Sequence, residues 1–279
     1  MAQKRAVTIQ DISCFGKCSL TVALPIISAA GIETCAIPTA VLSTHTGGFT
    51  GYTYRDLTED IAPIAAHWKT LDLKFDAIYT GYLGSFEQLR LVADFFDAFK
   101  GDGMILVDPA MADNGILYGG FSPDFPAGMA KLCGKADLIV PNLTEAAFML
   151  GEKFAGDTYD SAYIEGLMKR LAGLGPKQVV LTGVSFAPDK LGAACYDAAT
   201  GKVDYYFNER VPGYFHGTGD VFASALLSAV LRGKPLPAAI KVATDFTLES
   251  IKRTAAAKTE PRCGVNFEQS LPNFIKSLD

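Results

Sequence analysis

Apolar residues along this chain follow two alternating periods. Short continuous or alternating runs predict strands: AVTIQ (6–10), FDAIYTG (75–81), GMILVDP (103–109), ADLIVPN (136–142) and QVVLTG (178–183). Between them, apolar positions three and four apart predict helices over roughly 20–30 (stopped at Gly31), 59–71, 86–100 and 159–174. ETCAIPTAVLS (33–43) is a further β-prone run in which Pro38 predicts an edge or a break. VPN runs straight into a helix, TEAAFMLG (144–151), with Thr144 the expected N-cap. LGAACYD and KVDYYFN flank AATG and predict a hairpin. Beyond Asp220, Val221, Phe222, Ala225, Leu226, Ala229 and Val230 recur at helical spacing. A second helix is expected over about 237–254 and a short one near the C-terminus. HTGGFTGYTYRD (45–56), rich in glycine and aromatics, predicts a loop or flap.

Strands alternating with helices of this length imply right-handed crossovers and a parallel sheet covered on both faces. The expected fold is therefore α/β: a three-layer αβα sandwich around a central, mostly parallel sheet. No linker, repeat or low-complexity stretch divides the chain, so residues 1–279 are expected to form one domain.

Several predicted strands end in polar or glycine signatures: TIQD, YTGY, LVDP, VPNLTE and LTG. Turn residues end most strands, and one such tail carries no functional meaning. Five tails bearing Asp11, Asp108, Asn142, Glu145 and Thr182 are different, because ligands of open parallel sheets sit beyond the carboxyl ends of the strands. The other unusual stretch is YFHGTGDVFAS, where two glycines flank Thr218 and Asp220 follows at the mouth of a helix. Glycine tolerates positive φ and lets a ligand approach the backbone. The unpartnered amides of a first helical turn attract an anion. An acid in a first turn is also what the helix dipole alone favours. Beside an anion pocket, however, Asp220 repels a simple anion and suits a base that draws a proton from an alcohol while the amides hold a phosphoryl group. Asn142 and Glu145, three apart across a strand–helix junction, and Asp108 on a neighbouring strand end supply oxygens for a hard cation such as Mg2+. An Asp-Pro turn and a helix-start acid are the structural alternatives for Asp108 and Glu145, and the functional reading is preferred. Neither a P-loop nor a dinucleotide fingerprint is present, so phosphate must be held by another cradle.

Hydrophobic residues make up 49% of the 279, enough for a large core, and the net charge of −5 comes without a basic tract, which disfavours nucleic acid. No apolar run approaches the ~18 residues of a membrane span, and the N-terminus lacks a signal-peptide core. Six cysteines show no paired Cys-x-x-Cys spacing; reduced thiols in the cytoplasm are the expectation, Cys14 and Cys18 included.

GTGDVFAS, VPNLTEA, DPAM and TIQD together resemble the ribokinase-like superfamily of small-molecule kinases. STHTGGF, YTGYLGS and the aspartate of the GTGD turn are similar to its pyridoxal and pyridoxamine kinase branch, over nearly the whole chain. The resemblance implies ATP-dependent phosphorylation of the 5′-hydroxymethyl group of a B6 vitamer. Asp220 would be the base and Gly217, Thr218 and Gly219 the anion hole. Asp108, Asn142 and Glu145 would bind Mg-ATP, with Asp108 and Glu145 at the metal, and Thr182 and Gly183 would lie on the nucleotide side. Asp11, Thr46 and Tyr82 would contact the vitamer ring, with His45 either binding substrate or structural. The 45–54 loop would form a lid against water. Mg2+ is implied, a monovalent cation is an open question, and a homodimer is a family expectation. The family often has serine where Asp11 stands and glycine where Ser19 stands; an acid at 11 fits a protonated ring nitrogen, an exocyclic amine or a hydroxymethylpyrimidine. Lys17 either reaches a phosphate or is solvated. The competing readings are a hydroxymethylpyrimidine kinase and a non-catalytic vitamer binder.

Overall fold

The computed structural model describes residues 3–156 and 158–279. Six strands pair in parallel through the middle of one sheet, in the spatial order β2 (Glu33–Leu42), β1 (Arg5–Ser13), β4 (Ala77–Thr80), β5 (Met104–Val107), β8 (Leu138–Ile139) and β9 (Gln178–Val184). The short β3 (Tyr54–Asp56) closes one edge antiparallel, and the hairpin of β10 (Lys190–Asp197) and β11 (Lys202–Glu209) extends the other.

Because successive strand residues point to opposite faces, each central strand feeds two cores. Val7, Ile9, Ile78, Ile105, Val107, Ile139, Val179 and Leu181 pack under α2 (Thr58–Thr70), α3 (Phe86–Phe99), α4 (Phe125–Cys133), α5 (Leu143–Met149) and α6 (Ser161–Ala172). Ala6, Ala77, Tyr79, Leu106, Leu138, Val140 and Val180 pack under α1 (Leu20–Ala29), α7 (Thr218–Leu231), α8 (Leu236–Ala256) and α9 (Leu271–Ser277). This is the expected αβα sandwich, with burial on both faces explaining why the strands read as apolar runs.

The expected elements are present, with local differences. Pro38 lies where β2 has no outer neighbour, since β3 pairs only with Ala40–Leu42, and the β1–β2 register slips just beyond it, between Gln10 and Ile12. Asp11 therefore sits in a bulge, a device that re-aims a side chain. The flap ends in β3 rather than staying a loop throughout. The cap of α5 is Asn142, not Thr144: its side chain accepts from the Glu145 amide at 2.9 Å, and Glu145 accepts from the Asn142 amide at 2.9 Å. Asparagine, with an acid three residues on, outcompetes threonine in this capping box. Thr144 instead accepts from the Gly115 amide, tying α5 to the turn between β6 (Ala112–Asp113) and β7 (Ile116–Leu117). Those two-residue strands and α4 were not expected. Gly128 within α4 and Pro126 at its start mask its periodicity.

Candidate active site

The polar strand tails converge as parallel topology requires. Asp11, Tyr82, Asp108, Asn142 and Thr182 all lie at the carboxyl ends of central strands, on one rim of the sheet. With the flap and the start of α7 they line a cavity of about 500 Å³. Thirteen of the residues singled out from the sequence border it: Asp11, His45, Thr46, Tyr82, Asp108, Asn142, Glu145, Thr182, Gly183, Gly217, Thr218, Gly219 and Asp220.

The two glycines of the α7 turn do different things. Gly217 caps the helix at φ 75°, and a Cβ there would lie 2.1 Å from the Lys17 carbonyl oxygen. Only glycine fits. Gly219 is helical, and a Cβ there would meet nothing within 4 Å. Its value is the open space it leaves above the backbone rather than a positive φ. The first helical bond runs from the Val221 amide to the Gly217 carbonyl at 3.1 Å, so the amides of Thr218, Gly219 and Asp220 have no acceptor within the helix. Asp220 faces the backbone amide of Ser19, and burial with Asp11 close by pushes its carboxyl up to about 7.

Around this turn the cavity is strongly acidic. Asp11, Asp108, Asp113, Glu145, Glu209 and Asp220 line it, and no lysine or arginine does among the described residues. Glu145 accepts from the amides of Met111 and Asn142, and burial nonetheless raises it to about 8. Asp108 is 8% exposed, and burial beside Glu145 and Asp220 holds its carboxyl well above the usual range. No set of three His, Cys, Asp or Glu side chains converges with metal-ligand geometry among the described residues. Two buried carboxylates in an acidic cleft nonetheless fit a hard divalent cation that completes its shell with phosphate oxygens and water.

Asn142 does not aim freely at the cleft. Its oxygen caps α5 and its amide nitrogen donates to the Ala112 carbonyl at 2.8 Å, so it positions Glu145 and the 111–112 loop. His45 has both ring nitrogens engaged: Nδ1 accepts from the Gly47 amide at 3.0 Å, which leaves Nε2 to donate to the Arg262 carbonyl at 2.6 Å. The histidine thus latches the flap to the C-terminal segment and has no hydrogen-bonding nitrogen left for a ligand. Lys17 binds the Val265 carbonyl, Asn266 and Glu268 and does not line the cavity, so the phosphate role is not supported. The six cysteines are free; Cys18 lines the cavity and Cys14 is exposed.

Sequence reasoning missed two groups. Ser13 and Ser19 hold Asp11, donating to its carboxylate at 3.0 and 2.5 Å. At the far end, Leu191, Val211, Phe222, Leu248 and Ile251 form an apolar recess with Asn208 and Thr244. Nothing separates these from ordinary hairpin and helix residues until α7, α8 and β10–β11 bring them together. A third feature overhangs the cleft: His216 stacks 5.1 Å from His45, and Tyr214 packs on His216 and donates to Asp113 at 2.6 Å.

The sheet order, with the unpartnered amides of α7 and a carboxylate at its rim, is that of a ribokinase-like kinase. The family model for phosphomethylpyrimidine kinase matches residues 23–264, and the chain belongs to that family. A Bacteroides thetaiotaomicron protein, described as a candidate phosphomethylpyrimidine kinase and solved with pyridoxal, is 36% identical, with 98% of this chain and 96% of that one aligned at a TM-score of 0.93. Pyridoxal kinase from Lactobacillus plantarum is 32% identical, covering 99% and 98%, with a TM-score of 0.89. Hydroxymethylpyrimidine/phosphomethylpyrimidine kinase of Haemophilus influenzae is 27% identical over 261 residues, 89% of this chain and 91% of that protein. Against the thiamine biosynthesis multifunctional protein of Corynebacterium efficiens the chain spans only a third of the relative's length. Among the described residues no helix is long and apolar enough to cross a membrane.

Proposed function

We propose that this kinase transfers the γ-phosphoryl group of ATP to the 5′-hydroxymethyl group of a B6 vitamer. The observation that carries the reading is Asp220: a half-buried carboxyl beside three unpartnered amides, at the mouth of a cleft large enough for an aromatic alcohol and a nucleotide. In this reading the apolar recess between α7, α8 and the hairpin takes the base of the nucleotide. The amides of Thr218, Gly219 and Asp220 hold the γ-phosphoryl oxygens where negative charge is spread during transfer. Asp220 accepts the proton of the hydroxymethyl group as its oxygen attacks phosphorus and ADP leaves. Asp108 and Glu145 would hold Mg2+, which supplies neutralisation of phosphate charge when bound. Tyr82, 5.5 Å from Phe121, offers a ring face to the vitamer. The His45 latch keeps the flap over the acceptor so that water does not take the phosphate.

The B6 reading is favoured by the aspartate at position 220 and by the pyridoxal bound to the Bacteroides relative. A hydroxymethylpyrimidine acceptor is the second reading: the matching family is phosphomethylpyrimidine kinase, the Haemophilus relative is a hydroxymethylpyrimidine/phosphomethylpyrimidine kinase, and buried Asp11 suits an amino-substituted ring. Release of ADP over pyridoxal, pyridoxamine, pyridoxine and hydroxymethylpyrimidine separates the two. Asp220→Asn is expected to lower kcat by about 10²–10⁴ while leaving nucleotide affinity nearly unchanged. Turnover within a few-fold of the parent would remove Asp220 from the base role.

A further inference from the structure

Among the described residues, four other than glycine have positive φ: Ser19, Asp72, Asn114 and Lys258. Three of them are exposed turn residues; Ser19 alone is buried. Its φ of 57° and ψ of −131° lie outside the left-handed helical well, in territory that favours glycine. Strain at a buried position persists only where the surroundings enforce it, and here each polar group of the residue is engaged. The Ser19 carbonyl receives the amides of Val22 and Ala23 at 3.0 and 2.9 Å, starting α1. Its amide faces the Asp220 carboxylate, and its hydroxyl donates to Asp11 at 2.5 Å.

One residue thus touches both acids of the acceptor end. Asp11 is 4% exposed and has no lysine or arginine partner among the described residues. Ser13 and Ser19 donate to it; His45, Cys18, Tyr54, Tyr82 and Asp220 are the titratable groups around it. Two hydroxyl donors hold the carboxylate in one orientation and leave acceptor capacity toward the cavity. A buried carboxylate without a cation is costly, so this acceptor is suited to a ligand N–H group, best a charged one.

Resting on the kinase reading, we propose that Ser19 is a positioning residue that fixes Asp11 and Asp220 relative to each other, so that a heteroaromatic alcohol held at Asp11 through a nitrogen donor presents its hydroxymethyl oxygen to Asp220. The substrate class is an alcohol carrying a protonated ring nitrogen or an amine; an analogue lacking any such donor is excluded. Glycine at this position would be free of strain but would lose the hydroxyl.

Ser19→Gly tests this, because it relaxes the backbone and keeps the amide while deleting the link to Asp11. The expected result is an unchanged or raised Tm, an unchanged KM for ATP, and a rise of about tenfold in the KM and Kd for pyridoxamine, the loss of one charged hydrogen bond. In an Asp11→Asn background, Ser19→Gly is expected to add little further. Ser13→Ala, which deletes the other hydroxyl without touching the strained backbone, is expected to weaken pyridoxamine in the same direction. Wild-type Kd in Ser19→Gly, or effects that simply multiply with those of Asp11→Asn, would overturn the proposal. Calorimetric Kd values need no turnover, so the two failures are distinct: absence of phosphoryl transfer to any alcohol defeats the kinase reading, and an unchanged Kd defeats the role of Ser19.

Discussion

Asp220 is written into the sequence by its neighbours, and its environment has a measurable consequence for stability. Its folded-state pKa of about 7 stands above the ordinary value of 3.8, with burial the first cause. A raised acid favours the folded state only while protonated, so its contribution is intact below about pH 4 and is lost as pH rises toward 7. Asp220→Asn cannot ionise. It is expected to melt at a higher temperature than the parent above pH 7, with the two curves meeting near pH 4, in scanning calorimetry across that range. Equal Tm values at pH 8 would show that the carboxyl is not desolvated. The stabilised variant would also be the inactive one, as expected where a site holds an acid against its solvation. At this scale the sequence exposed residues whose chemistry is odd for their place, such as an acid beside paired glycines. It hid Ser13, which reads as a strand-end turn residue, and showed Ser19 only as a departure from the family's glycine, since a φ is invisible until the chain is folded.

Elements place these residues, and the junction of β8 with α5 shows how. The strand ends at Ile139, Val140 and Pro141 continue it, and Asn142 starts the helix while fixing Glu145 and the Ala112 carbonyl. Asn142→Ala removes the cap and one buried bond. A loss of about 1–2 kcal/mol in denaturant unfolding is expected, together with a raised KM for ATP because Glu145 loses its fixed position. An unchanged KM would confine Asn142 to holding the helix. The parallel strands and long helices were legible because their apolar periods are strong and their ends carry glycine or polar residues. α4 was not, since Pro126 and Gly128 interrupt its pattern, and β6 and β7 are too short to have a period. The nucleotide-side recess was illegible for a different reason: Leu248 and Ile251 lie on α8 at ordinary helical spacing, and only the contact of that helix with the hairpin turns them toward a cavity.

At the level of the whole molecule, the fold gathers six acids onto one rim and leaves the basic residues elsewhere. Lys17, Lys100, Lys177 and Arg253, for example, are paired with Glu268, Asp137 and Glu249 away from the cleft. A polyphosphate entering such a cleft meets no lysine or arginine among the described residues, so little besides the α7 amides offsets its own charge. The nucleotide must therefore arrive with its cations, and the protein must feel metal and nucleotide as one ligand. ADP in the presence of EDTA is expected to move the Tm little. Mg2+ with ADP at about 100 times its Kd is expected to stabilise by about 2.7 kcal/mol, or roughly 4–5 °C for a chain of this size. The sign of the pH effect follows from the same acids. Asp108 and Glu145 hold protons more tightly than free carboxyls because they are buried, and a cation binds their ionised forms, so protons compete with it. The Mg2+-dependent part of the shift should be larger at pH 8.5 than at pH 6. Differential scanning fluorimetry at matched ionic strength reads both effects. If ADP in EDTA raised the Tm as far as ADP with Mg2+, the acidic rim would not be a metal platform, and phosphate binding would have to rest on the amides of Thr218, Gly219 and Asp220 alone.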